Sequence, residues 1–221
     1  MTSPYPGIDF FDVDHTIIDA SSGLQFLLTG IRLGVFPIRF LFSLPSVILR
    51  YGQGEIEQSS SHHQLNALRG YSKSDIDRVC DVTFRKRIQP RIFPEAHAII
   101  KRKLESGRLV VFLTSSFTPI IEPLANELGV KKIIANEFEF IDGNSEGLRN
   151  KRFVFGAEKK VRAFEMMQQL GISPNDCSFY SDSRHDLALL ESIGNPACVN
   201  PSGKLKRIAL SRGWKILRFV R

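Results

Sequence analysis

Short continuous apolar runs recur along this chain, and helical patterns lie between them. Ile8 to Val13, reading Ile-Asp-Phe-Phe-Asp-Val, is the first run, and Arg108 to Leu113, entered from the turn Ser106-Gly107, is the second. Ile133 to Ala135, Cys177 to Tyr180, Ala197 to Asn200 and Lys215 to Val220 follow. Runs of strand length without polar alternation suit strands buried on both faces. Between them the spacing predicts helices over Pro94 to Glu105, Pro119 to Leu128, Ala157 to Leu170, His185 to Ile193 and Ser202 to Arg212. The last four are closed by Gly129, Gly171, Gly194 and Gly213, where a left-handed C-cap favours glycine. Strands alternating with helices imply an α/β fold with a parallel sheet covered on both faces. Phe138 to Val154 breaks this rhythm, and Asp142-Gly143 within it is a hairpin signal.

Residues 20 to about 90 depart from the alternation. They read as helical and very apolar at first, polar around Gln58 to Gln64, then mixed, and are taken as a small helical domain inserted into the core. Leu24 to Leu49 is dense in Leu, Phe and Ile, with Arg32 and Arg39 inside it and Arg50 just beyond. On one unbroken helix these arginines fall nearly on a line, but Pro37 and Pro45 must break or kink it. No charge-free stretch reaches the roughly 18 residues a membrane span needs. Two readings stay open: a buried helical pair of the insert, or an interfacial membrane segment.

Charge and cysteine usage narrow the setting. Seven of the 30 basic residues lie between Lys204 and Arg221 with no acid among them, and the other 23 balance the 23 acidic residues. The formal net charge of +7 therefore belongs to this tail. It reads either as a solvated helix and strand or as attraction to an anionic membrane surface. No nucleic-acid recognition motif accompanies it, so no nucleic acid is expected as a partner. The start of the chain shows no secretory pattern, and three cysteines without close pairing suit reduced thiols in a cytoplasmic compartment. Cys177 and Cys198 edge apolar runs and read as buried fillers; no zinc-ligand spacing occurs.

In open parallel sheets, ligands bind beyond the carboxyl ends of the strands. Asp12, Asp14 and Thr16 follow the first strand, and Thr114, Ser115 and Ser116 the second. Asp182, Ser183 and Asp186 follow the fourth, and Lys159-Lys160 opens the helix before it. Carboxylates gathered at one sheet end raise one another's pKa unless a cation sits among them. Hard oxygen ligands with room for phosphate suit Mg²⁺, and metal, lysine and hydroxyl together offset the charge of a transferring phosphoryl group. A carboxylate then serves as nucleophile through an acyl phosphate.

Asp12-Val13-Asp14-His15-Thr16, Thr114 in Phe-Leu-Thr-Ser-Ser, Lys160 in Glu-Lys-Lys-Val-Arg-Ala-Phe, and Asp182 with Asp186 in Tyr-Ser-Asp-Ser-Arg-His-Asp stand in the order of four family motifs. Together they resemble the haloacid dehalogenase superfamily of phosphatases, in the branch that includes phosphoserine phosphatases. The resemblance implies a Rossmann-like parallel-sheet core, residues 1–19 and 91–221, with a helical cap, residues 20–90, inserted after the first strand. It implies a Mg²⁺-dependent phosphomonoester hydrolase acting on a phosphorylated small molecule or phospholipid headgroup. Asp12 would attack phosphorus, and Asp14 would protonate the leaving oxygen and then activate water. Thr114, with Ser115 beside it, and Lys160 would bind the phosphoryl group; Lys159 is the alternative to Lys160. Asp182 would ligate the metal with Asp12 and the Asp14 carbonyl, and Asp186 would support that shell.

Each motif alone has an ordinary explanation as a cap, a strand-end hydroxyl or a solvated lysine; their joint order carries the reading. His15 is expected to lie exposed toward the cap, His62-His63 in a solvated loop, and His97 and His185 on helix surfaces. Relatives specific for phosphoserine carry a glutamate nine residues after the nucleophile, where this chain has Ser21, with Asp19 at a different spacing. Some relatives in this branch resemble phosphatases that act on membrane phospholipids. The alternative function is a non-catalytic phosphate-binding or membrane-tethering protein of the same fold. Oligomeric state is not readable from the sequence.

Overall fold

The computed structural model describes residues 3–41, 68–149 and 152–221. In chain order its strands are β1 (Ile8–Phe11), β2 (Leu109–Phe117), β3 (Lys132–Asn136), β4 (Phe138–Ile141), β5 (Asn144–Leu148), β6 (Ser178–Ser181), β7 (Asn195–Val199) and β8 (Lys215–Leu217). Its helices are α1 (Ser22–Arg32), α2 (Lys73–Thr83), α3 (Pro94–Glu105), α4 (Thr118–Glu127), α5 (Ala157–Leu170), α6 (Leu187–Leu190) and α7 (Gly203–Ser211). Six strands form one parallel sheet in the order β3-β2-β1-β6-β7-β8, and β4 with β5 makes a separate antiparallel hairpin. This is the expected α/β architecture.

Alternate residues of each strand feed opposite layers. Phe11, Val110, Phe112 and Tyr180 pack with Ala96 and Ile100 of α3 and with Ile120, Ile121 and Leu124 of α4. Phe10, Val111, Leu113 and Phe179 pack with Ala163 and Met167 of α5, Leu189 and Leu190 of α6, and Leu205 and Ala209 of α7. Burial on both sides is why the strands read as unbroken apolar runs. The chain winds outward from β1 in one direction through β2 and β3, and in the other through β6, β7 and β8. The carboxyl ends of β1 and β6 thus flank a topological switch point, where such sheets open a crevice.

The described part of the insert shares the core. Phe26 of α1, Phe36 beyond it, and Ile76, Val79 and Cys80 of α2 belong to the same apolar cluster as α4. Gly30 permits this approach, since a Cβ there would meet the Phe36 ring at 2.0 Å. Leu27, Ile31, Leu33, Val35 and Phe40 pack against the cluster, which favours the cap-core reading for this stretch of Leu24 to Leu49. Residues 42–49 and His62-His63 lie outside the described residues. α2 runs on into a π-helical turn, Phe84–Ile88, and a 3₁₀ turn, Gln89–Arg91, which lead back to the sheet.

Several expected boundaries move for identifiable reasons. β2 continues to Phe117, so Thr114, Ser115 and Ser116 lie on extended strand rather than past its end. The last strand stops at Leu217 because the Asn200 side chain takes the chain next: its Oδ1 accepts the Phe219 N–H at 2.9 Å and its Nδ2 donates to the Phe219 carbonyl at 3.1 Å. The helix expected from His185 divides into a 3₁₀ turn, Arg184–Asp186, and the short α6. Gly194 is no left-handed cap; a Cβ there would lie 2.5 Å from the Asn175 carbonyl oxygen, so close backbone approach is its reason. α1 ends at Arg32 and Gly34 turns the chain with φ 71°, so Arg32 and Arg39 share no helix. The Asp142-Gly143 hairpin forms, with positive φ at both residues.

One buried charge sits in the middle of the sheet. Asp9 of β1 is fully buried, with Lys103 Nζ 2.8 Å from one oxygen and Arg108 Nε on the other. Removing one partner of a buried pair leaves charge uncompensated. Arg108→Ala should therefore lower unfolding stability by about 3 kcal/mol, the low end for such a loss because Lys103 remains. Urea unfolding measures this, and a change within the usual surface range would show that Arg108 is not needed to hold Asp9.

Candidate active site

Asp12 stands one residue past β1, and its N–H donates to the Tyr180 carbonyl at 2.9 Å, extending the pairing with β6. The following turn is tight: the N–H groups of Thr16, Ile17 and Ile18 all converge on the Val13 carbonyl, at 3.2, 2.8 and 3.2 Å. His15 takes a left-handed conformation, φ 58°, to make this turn, and its side chain is exposed as expected. Asp12 Oδ1 accepts the Val13 N–H at 2.9 Å and lies 2.9 Å from Lys159 Nζ. The same ammonium lies 2.9 Å from Asp186 Oδ2. Ser181 Oγ donates to that oxygen at 2.7 Å and accepts the Ser183 N–H at 3.0 Å. Thr16 ties the first turn to the end of β6, donating to Asp182 Oδ1 at 3.2 Å and accepting the Asp182 N–H at 3.0 Å.

Asp12, Asp182 and Asp186 thus gather around one lysine, with Asp14 in the turn after β1 and Thr114 within β2 beside it. The lysine is Lys159, not the preferred Lys160. Lys159 is buried in the first turn of α5, whereas Lys160 Nζ lies over the Phe164 ring, 5.6 Å from its centroid. The buried stripe of α5 is Lys159, Ala163 and Met167, one residue every helical turn. That phase is legible in the sequence, and Val161, beside Lys160, is exposed.

Thr114 is buried, and its Oγ1 accepts the Ser116 N–H at 3.1 Å, leaving its own proton free to donate. Ser115 is half-buried, with its carbonyl accepting from Asn136 Nδ2 at 2.8 Å. Asp14 Oδ1 accepts the Ser22 N–H at 3.0 Å, from the first turn of α1. Sequence reasoning missed Ser22, Asn136 and Ser181. Only Ser181 had a signal, as a hydroxyl flanking Asp182.

Electrostatics follow from three carboxylates facing one buried ammonium. Burial pushes the Asp12 carboxyl up to about 8, Lys159 pulling it down and Asp186 and Asp182 repelling it further. Burial likewise lifts Asp182 to about 6, opposed by the charge of His15 and abetted by Asp186. Asp14 is raised by burial and held back by Ser22. Burial alone would lower Lys159, but Asp12 and Asp186 outweigh it and keep the ammonium charged. The cluster is short of positive charge.

The ligands expected for a metal are the Asp12 and Asp182 carboxylates and the Asp14 carbonyl, with Asp186 in support. Among the described residues no three acidic, histidine or cysteine side chains converge as a metal cage. Asp186 Oδ2 is taken by Lys159 and Ser181, and Asp14 Oδ1 is turned to α1. That leaves the Asp12 and Asp182 carboxylates as hard donors. Two carboxylates with room for water and phosphate oxygens fit Mg²⁺, which retains much of its water shell.

A model of the haloacid dehalogenase-like hydrolase family matches residues 10–191. The chain belongs to this family. It is 31% identical, over 96% of its length and 78% of the relative's, to an "Inhibition of morphological differentiation protein" of Streptomyces azureus. It is 30% identical to a probable phosphatase of Mycobacterium tuberculosis, over 96% of this chain and 75% of that one. A crystal structure of a protein of unknown function from Bordetella pertussis superposes with a TM-score of 0.85 at 26% identity, covering 98% of this chain and 99% of the other. Structures of phosphoserine phosphatase share the fold, one of them with a TM-score of 0.69 at 16% identity over 100% of this chain and 95% of that one.

The raised carboxyl groups have a consequence for stability. Between about pH 4 and 8 the folded Asp12 retains a proton that the unfolded chain has lost, so metal-free stability falls as pH rises through that window. In chelator, the melting temperature of the protein should fall between pH 5 and 8 more steeply than that of Asp12→Asn. Added Mg²⁺, which needs ionised ligands, should raise it more at pH 8 than at pH 5. Parallel pH slopes for the two proteins in a thermal-shift titration would contradict this origin of the shift.

Proposed function

We propose that this phosphatase of the haloacid dehalogenase family hydrolyses small phosphomonoesters through an aspartyl phosphate on Asp12, with Mg²⁺ as cofactor. The observation that carries the reading is Asp12 itself: a carboxylate at the sheet's switch point, one oxygen held by Val13 N–H and Lys159, the other left for attack. Asp12 Oδ2 attacks phosphorus while the ester P–O bond breaks, and Asp14 gives its proton to the departing oxygen. Asp14 then takes a proton from water, whose oxygen attacks phosphorus and releases phosphate and free Asp12. Thr114 and Ser115 donate to the phosphoryl oxygens, and Lys159 balances their charge. Mg²⁺, held by Asp12, Asp182 and the Asp14 carbonyl, would neutralise the phosphoryl group. Asp186 and Ser181 keep Lys159 in place.

Residues 20–90 serve in this reading as a cap over the core formed by 1–19 and 91–221, and set substrate choice. Ser21, at the position of the glutamate in phosphoserine-specific relatives, is the N-cap of α1; its Oγ accepts the Leu24 N–H at 3.5 Å. A side chain occupied in capping offers no carboxylate to a substrate ammonium. Three free, buried cysteines suit a reducing cytoplasm. Among the described residues no helix is long and apolar enough to cross a membrane. Contact with an anionic membrane is not favoured by α1, whose Phe26, Leu27 and Ile31 pack on the shared core.

Asp12→Asn should lower Mg²⁺-dependent phosphate release by about three orders of magnitude or more while circular dichroism stays unchanged. Lys159→Ala should cost about a hundredfold or more, and Lys160→Ala no more than about twofold. Near-normal turnover by Asp12→Asn would end the mechanism; a reversed order of the lysines would return the phosphate site to Lys160.

Across a panel of phosphorylated metabolites, phosphoserine should not give the highest kcat/KM. A wide lead for phosphoserine would mean that another group replaces the missing glutamate.

A further inference from the structure

A hydrogen-bonded chain of buried polar groups crosses from the cap into the core beside Asp14. Ser22 opens α1, and its N–H is one of the donors a helix start leaves without an intrahelical partner. It donates to Asp14 Oδ1 at 3.0 Å. The Ser22 hydroxyl is fully buried and donates to Ser116 Oγ, also buried, at 2.7 Å. The Ser116 N–H in turn donates to Thr114 Oγ1 at 3.1 Å. Asn136, fully buried at the end of β3, donates to the Ser115 and Ser116 carbonyls at 2.8 and 3.3 Å and accepts the Val154 N–H at 2.8 Å. The end of β2 is thereby fixed from the core side, and Ser22 is fixed upon it.

We propose that Ser22 and Ser116 are a positioning pair for Asp14, tying the first turn of α1 to the end of β2 so that Asp14 faces the leaving-group oxygen. The proposal rests on the reading of Asp14 as general acid and base. With Oδ1 held by α1, Oδ2 is the oxygen free to meet the ester. Two buried hydroxyls would each cost stability if left alone, and here each answers the other across the junction of insert and core. The pair makes α1 a part of the catalytic apparatus. A shift of the cap base moves the Asp14 carboxyl with it.

The test compares leaving groups. Glycerol 2-phosphate has a poor alkoxide leaving group that needs a proton, whereas p-nitrophenyl phosphate leaves readily without one. The ratio of the two kcat/KM values, measured on one preparation, does not depend on the fraction of protein that is folded. Asp14→Asn sets the benchmark and should lower the alkyl-to-aryl ratio strongly. Ser22→Ala and Ser116→Ala should each lower it by about tenfold, the size of one well-placed hydrogen bond, with the aryl ester changed by less than about threefold. Ser22→Thr, which keeps the hydroxyl, should restore it. An unchanged ratio in both alanine variants, beside a fallen ratio in Asp14→Asn, overturns the positioning pair alone. An unchanged ratio in Asp14→Asn overturns the acid–base reading, and the pair with it.

Discussion

Lys159 stands between Asp12 and Asp186, 2.9 Å from each, and the rest of the site is arranged around that ammonium. Three carboxylates drawn to one crevice repel one another, and one buried cation offsets only part of that. The fold supplies the lysine from the first turn of α5, on the helix face that packs against the sheet. Ser181 and Val13 N–H take up lone pairs that the lysine leaves, so each acid is bonded as well as neutralised. The remaining deficit of positive charge is what a divalent cation and the transfer of a phosphoryl group would meet.

The sheet explains why these groups converge at all. β1 and β6 are neighbours that lead to opposite sides of the sheet, and each is followed by a carboxylate. The pairing continues one step beyond β1, through Asp12 N–H and the Tyr180 carbonyl, so Asp12 is held as rigidly as a strand residue. Thr16 then bonds Asp182 in both directions and locks the two strand ends together. Stacked rings of Phe11 and Tyr180, 4.2 Å apart, brace the same pair of strands from one face. Precision at the site thus comes from ordinary sheet packing a few residues upstream.

The α/β class, the pairing of strands with helices and the acids of the site were legible because buried parallel strands write themselves as apolar runs and place their chemistry at the carboxyl ends. Pro94–Glu105 and Ala157–Leu170 agree in both bounds, each marked by a proline start or a glycine stop. What was not legible depends on contacts distant in sequence. Asn200 ends β8 by bonding Phe219, and nothing near Leu217 announces it. Lys159 and Lys160 differ only in helical phase, which the Ala163–Met167 spacing decides. Ser22 lies in a segment that reads as cap, so its bond to Asp14 appears only when α1 is set against β2.

The basic tail finds its physical place at the sheet's outer edge. Among the described residues β8 is the last strand of the six and has no neighbour on one side, so its free backbone groups form a template for another strand. Lys215 is exposed within that strand and Arg218 follows it, while α7 before it carries Lys204, Lys206 and Arg207. Charges on a short edge strand discourage edge-to-edge pairing, since a second copy would bring like charges together. Ile216, exposed on the same strand, is the residue most in need of that protection. The +7 excess lies along this edge of the sheet, away from the acids that follow β1 and β6.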